Sequence, residues 1–358
     1  MKKFDVKKIL LSSSLFSLCA ACSQVSFSPK EIVDSSSNSN KMSYTEIVAA
    51  GNKQVDFLIV LDDSNSMLPE LQKLAAKMSS FMTSIESSDI DWQMCLTVTR
   101  PLSGDWGKPM TWKSYSPGSG VPSYLLKKGT ANLDAIFNST IAQVEIGGAS
   151  SGDERAIKAA YENFTLGNPS SGRSHGCYRP GSALSVIAIS DEDERSVGGD
   201  SSKVKANDSS TAYQPLETED MPANLVSHSK NIFGQDVRFT FNSIIVKPGD
   251  NVCEAEQDTN TSPSHAGFVY TLMSQLTEGG IASVCEDDYS ASLNTFKDKI
   301  VNSLNQLTLR CLPDASTLSI KVNGKKVSNY KVDKNVLKFS QSLVEGTKID
   351  LKFDCAAN

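Results

Sequence analysis

The apolar positions of the chain follow two periods. Phe57 to Leu61 is an unbroken apolar run, the pattern of a strand covered on both faces. Trp92, Met94, Leu96 and Val98 alternate as a second strand, and 184–189 and 239–246 repeat the buried-strand pattern. Between these strands, Leu71, Leu74, Ala75, Met78, Phe81, Met82 and Ile85 recur at helical spacing. Helical patterns return over 131–144 and 153–164, and again at Phe268, Leu272, Met273 and Leu276, where Gly279 and Gly280 stop the helix. A short strand at 281–284 then leads to a helix carrying Leu293, Phe296, Ile300, Val301 and Leu304. Strands alternating with helices predict an α/β domain over 53–309, a doubly wound and mostly parallel sheet with helices on both sides. The period then falls to two. Leu318, Ile320 and Val322 alternate before an Asn323-Gly324 turn, and Ile349, Leu351 and Phe353 alternate before Cys355. Residues 310–358 therefore read as a small antiparallel β-domain, bracketed and clasped by Cys311 and Cys355.

Upstream of 53 the pattern is different. Lys2, Lys3, Lys7 and Lys8 precede a short apolar stretch over 9–18, too short to span a bilayer. The stretch ends in "LCAAC". This resembles the cleavage box of bacterial lipoproteins, with Ala20 and Ala21 as the small residues and Cys22 as the lipidated first residue of the mature chain. Cys19 departs from the leucine usual at its position. Residues 1–21 are accordingly expected to be a signal peptide, and 22–52, which include "DSSSNSN", an anchor followed by a serine-rich flexible tether. Ser23 after the anchor, in place of Asp, resembles an outer-membrane address.

Export changes the reading of the cysteines. Of eight, Cys19 leaves with the signal and Cys22 is the anchor, so six remain, an even number in an oxidising compartment. Several connectivities are open to six cysteines. The set proposed is Cys95–Cys177, tying a strand to the loop before 184–189; Cys253–Cys285, joining two strand ends; and Cys311–Cys355. A formal charge of −6 argues against a nucleic-acid partner. The three histidines, His175, His228 and His265, show no zinc spacing, and no phosphate-binding or nucleophile-elbow motif occurs.

The candidate chemistry sits where the first buried strand ends. "VDFLIVLDDSNSM" passes from apolar residues straight into Asp62-Asp63-Ser64-Asn65-Ser66, a D-x-S-x-S pattern. Asp288-Tyr289-Ser290-Ala291-Ser292 matches equally well, and helix capping explains that match. The first match differs in following a buried strand, and ligands of open α/β sheets bind outside the strands' carboxyl ends. The segment "ALSVIAISDEDERS" repeats the arrangement, with Asp191 to Glu194 at a second strand tip. Beyond Asp191 this run reads as solvated charge. Carboxylates and hydroxyls from two parallel strands suit a hard cation, which takes about six oxygens when it is Mg²⁺.

On these motifs the chain resembles the von Willebrand factor A domains that carry a metal-ion-dependent adhesion site, over about 53–309. The resemblance implies that Asp62, Ser64, Ser66 and Asp191 hold Mg²⁺, or Mn²⁺ or Ca²⁺, with the serines binding directly and the aspartates largely through water. The family's middle loop supplies a threonine hydroxyl. Here "GGASSGDERAIKAA" has none, so Ser151, or else Ser150, is expected to serve. The implied function is adhesion: the cation grips a carboxylate of a partner protein or an acidic glycan, with no enzymatic step. An envelope scaffold with a degenerate site, or a metal-assisted hydrolase, are the alternatives. Trp106 and Trp112 lie in a long loop and are expected to pack.

Overall fold

A computed structural model describes residues 31–38, 41–49, 53–146, 153–208, 213–235, 237–260, 263–304, 306–340, 343 and 346–356. Strands β1 (Glu31–Asn38) and β2 (Lys41–Ala49) precede the central strand β3 (Gln54–Leu61). Then come α1 (Leu68–Glu86), β4 (Asp91–Val98), β5 (Leu126–Lys127), α2 (Leu133–Ile146), α3 (Ala156–Leu166) and β6 (Ala183–Ser190). They are followed by α4 (Pro222–Phe233), β7 (Phe239–Ile245), α5 (Asn251–Gln257), α6 (Phe268–Leu276), β8 (Ile281–Ser283) and α7 (Ser290–Ser303). The chain closes with β9 (Gln306–Thr308), β10 (Ser319–Val322), β11 (Lys325–Lys326), β12 (Tyr330–Asp333), β13 (Val336–Phe339) and β14 (Lys348–Asp354).

The expected α/β architecture is present. The main sheet has the order β5-β4-β3-β6-β7-β8, parallel throughout except for the antiparallel edge pair β4/β5. Strand β3 is covered on both faces, which is why its apolar run is unbroken. Val55, Phe57, Ile59 and Leu61 face one core with α1, α2 and α7, and Leu58 and Val60 face a second core with α3, α4 and α6. The buried positions of α1 are those its helical periodicity marks, with Glu70 added. The chain runs from β3 outward to β4, then crosses back to β6 on the other side of β3. That reversal opens a crevice between the carboxyl ends of β3 and β6, where ligands of such sheets bind.

Helices α4 and α5 have no counterpart in the expected pattern. Helix α4 starts at Pro222, and its Leu225, Val226, Ile232 and Phe233, at helical spacing, pack on the second core; this short stripe, broken by the polar run 227–231, is absent from the expected pattern. Gly279 and Gly280, read as a helix stop, serve packing as well. A Cβ on Gly279 would lie 1.8 Å from the carbonyl oxygen of Phe241 on β7. Gly279→Ala is therefore expected to destabilise the protein by about 1–3 kcal/mol or more through overpacking, read as a lower thermal midpoint; an unchanged midpoint counts against that close approach.

The three disulfides are the pairs proposed from the sequence. Cys95–Cys177, Cys253–Cys285 and Cys311–Cys355 have Cα separations of 5.9, 5.6 and 5.7 Å. The antiparallel C-terminal part has its own core of Leu307, Leu309, Ile320, Leu337, Ile349, Leu351 and Phe353. It holds two sheets, β1-β2-β14-β10-β11 and β12-β13-β9. Two of its features differ from the sequence reading. Strand β9, before residue 310, pairs with β13. Residues of the expected tether, 43–49, pair with β14 along its whole length, and β1 adds outside β2. Ser43 Oγ donates to Asp354 Oδ1 (2.6 Å) and the Tyr44 ring packs on Phe353. The physical reason is that a strand such as β14 must satisfy its outer row of N–H and C=O groups, which β2 does through its backbone while Tyr44 adds its ring to the core beside Phe353. Cys22 lies outside the described residues. Among the described residues no helix is long and apolar enough to cross a membrane.

Candidate metal centre

The site begins with register. Leu61 pairs with Ile189, so the two strands end side by side, and the Asp62 N–H donates to the Ile189 carbonyl (2.9 Å). Asp62 is fully buried. Its Oδ1 accepts the Ser64 N–H (2.9 Å), folding the loop back on itself, and its Oδ2 accepts the Ser190 hydroxyl (2.6 Å) from the tip of β6. The loop then makes a short 3₁₀ turn, Asn65–Met67, before α1. Capping does not explain the serines here: neither the turn nor α1 has a side-chain N-cap bond. Instead the Ser64 and Ser66 hydroxyls lie 2.9 Å apart and both are buried. The other D-x-S-x-S match behaves differently. Asp288 is exposed, accepts the Ser290 N–H at the start of α7 (2.8 Å) and pairs with Lys77 (3.1 Å). The Ser290 bonds hold its carboxyl down at about 2.

Asp191 stands at the tip of β6 beside these hydroxyls. It is 1 % exposed, and among the described residues neither carboxylate oxygen has a hydrogen-bond partner. Ser66 is near enough to lower its pKa somewhat, but short of a bond of normal geometry. Burial dominates and, with Asp62 and Glu192 adding like charge, drives the Asp191 carboxyl well above its ordinary range. Burial also raises Asp62 to about 6, against the bonds from Ser190 and Ser64, and Glu192 to about 8. Asp63 is raised by burial and opposed by Arg100, which donates to its Oδ2 from Nε (2.8 Å). A buried carboxylate with no donor is costly unless a proton or a cation answers it. The orphaned oxygens of Asp191, with two hydroxyls and a second aspartate alongside, therefore fit a hard cation.

Ser150 and Ser151, the expected third-loop ligands, lie outside the described residues. Among the described residues, no three His, Cys, Asp or Glu side chains form a metal-binding group by themselves. A centre here must therefore depend on hydroxyls and water to complete its shell.

The remaining acids of the 191–194 run are not solvated, contrary to the sequence reading. Asp193 and Glu194 are fully buried. Asp193 accepts the backbone N–H groups of Phe268 and Val269 (3.0 Å each) at the start of α6. Glu194 accepts those of Ile157 (2.8 Å) and Lys158 (3.0 Å) at the start of α3. Each carboxylate answers the free donors and positive end of a helix, so the loop after β6 is clamped from two sides. A run of four acids carries no mark in sequence of which helix end it will meet. Trp112 is buried and its Nε1 donates to the Tyr124 carbonyl (3.0 Å), while Trp106 lies under Arg155 and Lys158, so both pack as expected. Of the histidines, only His265 comes near the site, through its N–H to the Asp191 carbonyl (2.9 Å); its ring pairs with Asp208 (3.1 Å).

No family model and no curated protein matches the chain. Solved structures similar to it include a von Willebrand factor type A protein from Catenulispora acidiphila, at 12% identity and TM-score 0.38, covering 89% of this chain and 62% of that one. The pilus adhesin SpaC from Lactobacillus rhamnosus GG, in its open conformation, is similar at 11% identity and TM-score 0.28, covering 89% and 41%. The pilus adhesin RrgA from Streptococcus pneumoniae is similar at 9% identity and TM-score 0.27, covering 92% and 60%. The chain thus spans less than two thirds of the length of each of these three proteins.

Proposed function

We propose that the chain is an exported, lipid-anchored binding protein of the von Willebrand factor A type, which grips an acidic group on a partner through a divalent cation. The single observation that carries this reading is the pair of buried, unpartnered oxygens of Asp191 beside the Ser64 and Ser66 hydroxyls. Asp62, Ser64, Ser66 and Asp191 would hold Mg²⁺, or Mn²⁺ or Ca²⁺, with Ser151 or Ser150 completing the set. The bound cation supplies an electrophilic position for a carboxylate oxygen of a protein or an acidic glycan. Strand β3, buried on both faces, keeps the loop rigid. Three disulfides support an oxidising compartment. The immobilised chain should retain envelope proteins or acidic glycans in Mg²⁺ and release them in EDTA; equal retention in both overturns the reading. One observation favours the degenerate scaffold as a second reading: Asp62 already has both oxygens bonded within the protein. Retention that ignores EDTA is its signature.

The anchor is tested separately. Cys22→Ser should move the protein from the membrane fraction to the soluble one, because each buried CH₂ of an acyl chain contributes about 0.8 kcal/mol and that hold is lost. Persistence on the membrane after a carbonate wash excludes lipidation at Cys22.

A further inference from the structure

The von Willebrand-like reading calls for a neutral hydroxyl from the loop before α3. The first described residues after that loop are Asp153 and Glu154. Asp153 turns away and pairs with Arg195 (2.8 Å). Glu154 turns inward and is 1 % exposed. Its Oε2 is bonded to the Thr99 hydroxyl, and Thr99 follows β4 directly, its N–H on the Leu61 carbonyl (3.0 Å) just before Asp62. The Glu154 backbone is fixed on both flanks: the next residue's N–H reaches the Thr99 carbonyl (3.1 Å), and Glu154's own carbonyl accepts the Arg195 N–H (2.6 Å) from the loop after β6. The side chain is thus held on Thr99, beside the end of β3, and its Oε1 is buried with no hydrogen-bond partner among the described residues.

The nearby guanidinium groups have other partners. Arg155 chelates Asp220 (2.8 Å) and reaches Glu217 (2.6 Å), Arg195 holds Asp153 and Glu217, and Arg100 holds Asp63. We propose that Glu154 supplies the third-loop oxygen of the cation centre through Oε1, a carboxylate where the resemblance calls for a hydroxyl, and that Thr99 positions it. The inference rests on the cation reading above. Burial first, then the charges of Asp62 and Glu192, raise this carboxyl well above its ordinary range. Since no three acids form a metal-binding group unaided, Glu154, Asp62 and Asp191 would act with hydroxyls or water between them. A carboxylate in place of a hydroxyl adds charge to the shell, and ligand charge tunes how tightly an oxygen site holds a divalent cation.

The probe is Mn²⁺, titrated into the full chain and followed by electron paramagnetic resonance and calorimetry. Glu154→Gln should weaken binding by at least about tenfold, Thr99→Val by about threefold and Ser151→Ala by less than about twofold. Glu154→Asp guards against a folding defect in the glutamine variant. It keeps a carboxylate with a shorter reach, and it should retain part of the Mn²⁺ affinity that the glutamine variant loses. If Glu154 is only a protonated core acid, glutamine keeps the Thr99 bond and affinity is unchanged, which overturns the proposal. Loss of binding in a Ser150→Ala, Ser151→Ala double variant with Glu154 intact overturns it as well. Failure of the cation centre itself shows up separately, as Mn²⁺ binding that is absent from the wild type or survives Asp62→Ala.

Discussion

Replacing Asp62 with alanine is expected to abolish Mg²⁺ or Mn²⁺ binding, and replacing Asp288 with alanine to leave it intact. Both residues open a D-x-S-x-S pattern, and they differ in what surrounds them. Asp62 is fully buried at the switch point of the sheet, with one oxygen organising the Ser64 N–H and the other linked to β6 through Ser190. Its removal takes away a charge and also the bonds that set the serine loop. Asp288 is exposed and holds only a helix N–H and Lys77. The expected loss at Asp62 is at least about a hundredfold in affinity, since even residues that merely orient ligands commonly cost about 10–100-fold. A saturating cation at about 100 times its Kd stabilises a folded protein by about 2.7 kcal/mol, so thermal shift gives a second readout. That shift should vanish in Asp62→Ala and persist in Asp288→Ala. Asp62→Asn, which keeps the shape, guards against a folding defect. Equal loss of binding in Asp62→Ala and Asp288→Ala, with both folded, places the site elsewhere.

How far the sequence could anticipate these features depends on what each one rests on. The main sheet is legible because strands covered on both faces must be apolar throughout, as 57–61 and 184–189 are. Helix α1 is legible because it buries one long stripe, whereas the stripe of α4, Leu225, Val226, Ile232 and Phe233, is short and broken by five polar residues. The strand β2 is hidden because the alternation of Met42 and Tyr44 breaks at Glu46 and follows a serine-rich stretch, so no strand period stands out, although Tyr44 packs on Phe353. At the site, Asp62, Ser64, Ser66 and Asp191 are set by strand ends, which periodicity locates. The acids at 192–194 read as solvated, wrongly, because Asp193 and Glu194 answer the N-termini of α6 and α3, which are distant in sequence. The sequence points to Ser151 rather than Glu154 because a family pattern asks for a hydroxyl, while an unpartnered carboxylate oxygen is visible only in three dimensions.

The second large expected effect is a reversal of pH dependence by the cation. Burial raises Asp62 to about 6 and Glu192 to about 8, and it raises Asp191 and Glu154 well above their ordinary ranges. A folded pKa above the unfolded one means that the folded state binds more protons. The associated stability is full below the unfolded carboxyl range, near 4, and is lost as pH rises through the folded values. Metal-free protein should therefore be more stable near pH 5 than near pH 8. A tenfold difference in proton affinity between the folded and unfolded states corresponds to about 1.4 kcal/mol, so several buried acids together make the slope steep. A cation stabilises the charged carboxylates, so its binding should release protons and tighten with pH across the same window. Calorimetry in buffers of different ionisation enthalpy counts the protons, and denaturation with and without Mg²⁺ gives the slopes. Asp56 provides the control. Burial raises it to about 6 as well, but it sits near the start of β3 among Arg179 and Ser182, away from the site. Its share of the slope should persist in saturating Mg²⁺, while the share from Asp62 and Asp191 disappears. Asp191→Asn should do in metal-free protein what the cation does in the wild type: raise stability at pH 8 and flatten the slope, with Mg²⁺ then adding little. A slope that Mg²⁺ leaves unaltered, with no protons released, would mean that these buried acids are not the ones a cation meets.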